Sequence, residues 1–117
     1  MILGTAFTGL SAQVSLTATG GTTTATYVSL KNAFDAINAG AHTGSITLNI
    51  TANTTETATA ELQASGGTSS YTSVLIKPAA GVNATITSNN AVAAIKLNGA
   101  DNVTIDGTNN QTSSRNL

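Results

Sequence analysis

LIKPAAGVNATITSNN, residues 75–90, returns in looser form nineteen positions later as AIKLNGADNVTIDGTN, residues 94–109. Overlaid, the two stretches match Ile76 with Ile95, Lys77 with Lys96, Asn83 with Asn102, Thr85 with Thr104, Ile86 with Ile105 and Asn90 with Asn109. The matches keep their internal spacing and their alternation of apolar with polar residues, as successive units of a stacked repeat would. The overlay predicts Ile76 over Ile95 and Ile86 over Ile105 in a shared interior. It sets Thr87 against Asp106, so the outward face carries no uniform array.

Composition narrows the reading. With 117 residues there is room for one domain at most. Charged residues make up 8% of the chain and the net charge is −1, which removes the basic footprint expected of a nucleic-acid or acidic-lipid binder. Hydrophobic residues reach 40%, enough material for a core. Threonine, with 22 copies, favours extended backbone because its β-branch restricts χ1. Eleven glycines, many asparagines and one proline read as tight turns between short strands. Cysteine is absent, so cohesion must come from packing and backbone ladders.

MILGTAFTGLSA, residues 1–12, is a mildly apolar run ending in small residues. It reads as the last part of a truncated signal peptide, cut after Ala12, or as a first strand with Ile2, Leu3 and Phe7 in the core. No run approaches the ~20 apolar residues that cross a bilayer, so no membrane span is expected.

From Gln13 to Thr19 the alternation is that of a strand, followed by a flexible Gly20–Gly21 and a threonine run. The period then changes. SLKNAFDAINAG, residues 29–40, spaces Leu30, Ala33, Phe34 and Ile37 by three and four, which puts one apolar stripe on a helix. Ser29 is placed to cap it, Gly40 to take the left-handed position after its end, and Lys31 with Asp35 to pair on the wet side. Short strands are expected at 45–51, 72–77, 84–88, 93–97 and 102–106. Strands this short suit a sandwich or a solenoid, and the nineteen-residue offset favours the solenoid. In that fold an open end exposes core and strand edges, so the helix is expected to lie across it as a cap.

Residues 29–62, 70–79 and 95–110 resemble the N-terminal part of large secreted surface proteins of Bacteroidota-type bacteria. The resemblance implies an all-β fold: the start of a right-handed parallel β-helix of the pectin-lyase-like superfamily. Residues 13–117 would be its N-terminal cap and first coils, with further coils beyond Leu117. Pectin-lyase-like enzymes cleave uronic-acid polymers with clustered aspartates and calcium, or with carboxylates helped by Arg, Lys or His.

Candidate sites are few. In a calcium-loop reading that starts at Asn102, Thr104 and Asp106 fall on ligand positions and Gly107 on the turn, but Ser113 stands where a bidentate Glu is needed. The plainer reading makes Asn102 a turn residue and Asp106–Gly107 a turn. A catalytic set would draw on Asp101, Asp106, Lys77 and Lys96, stacked through the repeat, and Arg115. His42, with no second histidine and no cysteine, reads as a solvated loop residue. The Thr57/Thr59 and Thr85/Thr87 pairs do not recur in register, which argues against an ice-binding face. Asn49, Asn53, Asn83, Asn102 and Asn110 begin Asn-x-Thr triplets and read as turn asparagines next to threonine strands.

No catalytic, cofactor or metal residue is therefore assigned. The expected function is a non-catalytic structural or adhesive module, secreted or on the cell surface, with surface carbohydrate or other surface proteins as partners. The alternative is the cap of a polysaccharide-degrading enzyme whose active site lies beyond residue 117.

Overall fold

The structure, a computed structural model, describes residues 12–89, 93–108 and 117. Apart from Ala12, the signal-peptide stretch lies outside the described residues, as do Asn90, Asn109, Asn110, Ser113 and Arg115. The elements run β1 (Val14–Gly21), β2 (Thr24–Tyr27), α1 (Leu30–Asn38), β3 (His42–Ile50), β4 (Thr54–Glu56), β5 (Ala60–Gln63), β6 (Tyr71–Pro78), β7 (Ile86–Ser88), β8 (Ile95–Asn98) and β9 (Val103–Ile105).

The molecule is mostly β, but the solenoid expected from the repeat is not what forms. Five strands make one mixed sheet in the order β2-β1-β3-β6-β9. Here β1 is antiparallel to both β2 and β3, while β6 runs parallel to β3 and β9 to β6. Two further parallel pairs, β4-β7 and β5-β8, complete the β structure of the described residues. The result is a globule of 44 × 38 × 31 Å rather than a right-handed β-helix.

The nineteen-residue offset fails for a physical reason. Ile76 pairs with Ile105, Ile95 with Ala60, and Ile86 with Thr54, so the matched isoleucines stand in different sheets. Two short alternating strands that share Asn and Gly turns resemble each other whether or not they touch. The similarity reports strand period, not a repeated unit. The Gly20–Gly21 pair expected to be flexible forms a turn: Gly21, at φ +67°, sends the chain back so that Thr24–Tyr27, in the threonine run after it, pairs with β1.

The helix forms as the spacing requires. Leu30, Ala33, Phe34 and Ile37 are fully buried. The Ser29 hydroxyl accepts from the Asn32 N–H, Gly40 takes φ +84° just past the end, and Lys31 Nζ reaches Asp35 Oδ2 at 2.7 Å. Its expected position is overturned. Instead of lying across an open end, α1 packs chiefly on β5 and forms one wall of the core with Leu16, Leu48, Ile50, Leu62 and Ile76. Each such side chain contributes about 1.5–3 kcal/mol by leaving water.

Both ends of α1 are tied to strands. At the C-terminal end the Asn38 side chain donates to Glu61 O and accepts from Gln63 N, each at 2.9 Å. One primary amide thus takes the place of a neighbouring strand on the edge of β5 that faces away from β8.

Candidate functional site

At the other end of α1, Glu56 is fully buried on β4. Its carboxylate accepts from Leu30 N at 3.1 Å and Lys31 N at 2.8 Å. With Ser29 serving Asn32 N, three of the N–H groups that a helix N-terminus leaves without partners are satisfied from inside the protein. The position that would otherwise attract a phosphate, sulfate or carboxylate ligand is filled.

Beside this capped end lies a groove of about 490 Å³ lined by Gln13, Val28, Ser29, Lys31, Asn32, Asn53, Thr55 and Thr57. Alternation on β4 positions the lining: Thr54 and Glu56 turn inward, so Thr55 turns out. Asn53 is fixed because its Oδ1 accepts from Thr85 N at 2.9 Å. Lys31, the only charged residue of the lining, is held by Asp35. The groove is therefore close to neutral and rich in amides and hydroxyls, groups that donate and accept alike.

The residues singled out in the sequence do not converge. Asp106 Oδ1 accepts from Thr108 N at 2.9 Å and Thr108 Oγ1 at 2.8 Å, closing its own turn. These bonds hold its carboxyl below the ordinary value, with a smaller contribution from Lys77. Asn102, at φ +58°, is a left-handed turn residue, and Thr104 is an exposed member of β9. Lys77 sits on β6 opposite Asn49, whereas Lys96 sits on β8 opposite Glu61, whose Oε2 it meets at 2.9 Å. The two lysines thus belong to different sheets and do not stack. Among the described residues no three His, Asp or Glu side chains gather as a metal would need. Thr87 pairs with Thr55 rather than with Asp106.

His42 is the clearest departure at a single residue. It is buried at the start of β3, with Nδ1 2.6 Å from Thr22 O and Nε2 2.6 Å from the Tyr27 hydroxyl. A carbonyl can only accept, so Nδ1 carries the proton and Nε2 accepts from Tyr27. The two rings meet edge to face at 5.8 Å. Burial pushes the Tyr27 hydroxyl above its ordinary pKa. This unit fastens β2 to β3. The tight Gly20–Gly21 turn was the signal that could have placed Tyr27 beside it.

Comparison with family models, with curated proteins and with solved structures finds no match. The family resemblance therefore rests on the quoted residues alone.

Proposed function

We propose that the chain is a non-catalytic adhesive module of a secreted or cell-surface protein, and that the groove between α1 and β4 takes a neutral surface carbohydrate. The observation that carries this reading is the lining itself: Gln13, Ser29, Asn32, Asn53, Thr55 and Thr57 offer amides and hydroxyls without an unpaired charge. Sugar hydroxyls both donate and accept, and amide and hydroxyl side chains match them in both roles. A uronic-acid polymer would need cations, and the lysine here is already paired with Asp35. Secretion is suggested by the pattern of residues 1–12. The test is calorimetric titration with neutral oligosaccharides and with uronic-acid oligomers, each with and without calcium. Saturable binding of a neutral glycan, weakened about tenfold by Asn32→Ala or Thr55→Val, is expected, each lost hydrogen bond being worth about 1–1.5 kcal/mol. Binding confined to uronates, or cleavage of them, would overturn the proposal.

A further inference from the structure

Lys96, Glu61, Gln63 and Asn98 form one hydrogen-bonded row of side chains across β5 and β8, on the side of β5 away from buried Ala60 and Leu62. Glu61 lies opposite Lys96 and Gln63 opposite Asn98. Lys96 Nζ meets Glu61 Oε2 at 2.9 Å, Gln63 Nε2 donates to Glu61 Oε1 at 2.8 Å, and Asn98 Nδ2 donates to Gln63 Oε1 at 3.1 Å. Every donor thus points toward Glu61, and the order depends on Asn98 ending the row with an N–H. Asn98 is itself exposed, on a strand that pairs only with β5 among the described residues.

The next residue is Gly99, just past the end of β8, and this is the one Asn-Gly pair in the sequence. An asparagine Cγ lies within reach of the following peptide nitrogen. Attack of Gly99 N on Asn98 Cγ closes a five-membered succinimide, the Cγ–Nδ2 bond breaks, and ammonia leaves with the proton that Gly99 N gives up. Water then opens the ring at either carbonyl, giving aspartate or isoaspartate, and nothing else is consumed. A side chain on the following residue crowds that closure, and glycine has none. Asn49, Asn53 and Asn102 instead precede the β-branched Ile50, Thr54 and Val103. Asp106–Gly107 has the same spacing, but Thr108 gives its carboxylate two hydrogen bonds that favour the ionised form, a poor electrophile.

We propose that Asn98 is a site of spontaneous deamidation, and that its conversion breaks the side-chain row joining β8 to β5. The product carboxylate has no N–H to give Gln63 Oε1. If the Gln63 amide turns over to donate to it, the Gln63 oxygen faces Glu61 instead, so one contact in the row is lost either way. The proposal stands apart from carbohydrate binding in the groove. Peptide mapping by mass spectrometry of the full chain, held in mildly alkaline buffer, should show the mass gain of amide-to-acid conversion at Asn98 before any other asparagine. Isoaspartate should accompany aspartate there, the signature of a succinimide. Asn98→Asp should speed amide hydrogen exchange of residues 95–98 by about two- to tenfold, the worth of one net hydrogen bond, and leave β3 and β6 unchanged. Conversion of Asn49 or Asn53 ahead of Asn98, aspartate without isoaspartate, or exchange in β8 indifferent to Asn98→Asp would each overturn it.

Discussion

Ile76 and Ile105 are partners on adjacent parallel strands, with side chains on the same face of one sheet, yet Ile76 is wholly buried and Ile105 is half exposed. Leu62 and Leu97 repeat the contrast on β5 and β8. The inner member of each pair belongs to the core cluster: α1 packs on β5 over Leu62, and β6, which carries Ile76, has β3 as well as β9 beside it. The outer member has only its own neighbour. Sequence is nearly the same at the two positions, so identity of residue does not decide burial here. What decides it is how many elements close over a strand, a property of topology.

This contrast can be broken most sharply at Phe34. Phe34→Asp puts a charge where no water reaches, and loss of cooperative folding is expected, since removing a buried Phe alone costs about 3–5 kcal/mol. Ile105→Asp, measured at concentrations low enough to keep the chain dispersed, should cost less than about 1 kcal/mol. Equal losses in urea unfolding would show that the rim is as well packed as the centre.

A smaller effect separates the two faces of β4. Glu56→Ala leaves the Leu30 and Lys31 N–H groups without acceptors and should lower stability by about 3 kcal/mol. Thr55→Ala on the outward face should change it by no more than about 0.5 kcal/mol. The smallest effect concerns pH. Burial raises the Tyr27 and Tyr71 hydroxyls above their ordinary pKa, with Asp101 adding to the shift at Tyr71 and a bond from Ser65 opposing it. Folding thus favours the protonated phenols. Their contribution is complete below the ordinary tyrosine value, about 10, and is lost as pH rises through the raised folded values. The urea midpoint should fall on that alkaline limb, with the phenolate absorbance delayed until unfolding. Phenolate absorbance that rises at the ordinary value in the folded protein would count against buried hydroxyls.

Local features of the fold were legible because local chemistry fixes them. The spacing of Leu30, Phe34 and Ile37, the Ser29 cap and the Gly40 stop all depend on residues within one or two helical turns. Most strands were visible from alternation, with bounds shifted by a few residues. Pairing was not visible, because period-two strands carry no label for their partners, and the Ile76–Ile95 overlay shows how an apparent register arises without contact. Glu56 and His42 were missed for the same reason. Each is defined by groups 15 to 26 positions away in the chain: Leu30 and Lys31 for the glutamate, Thr22 and Tyr27 for the histidine. The groove lining was equally hidden, since Gln13, Asn32 and Thr55 become neighbours only once α1 and β4 are in place.

The ties at the two ends of α1 have a consequence for its motion. A nine-residue helix is too short to persist in water by itself. Glu56 holds its first N–H groups and Asn38 fastens its last residue to β5, so fraying at either end means parting from a strand. The amides of α1 are therefore set to exchange with solvent on the timescale of global unfolding, as core strands do, rather than on the faster timescale of a surface helix.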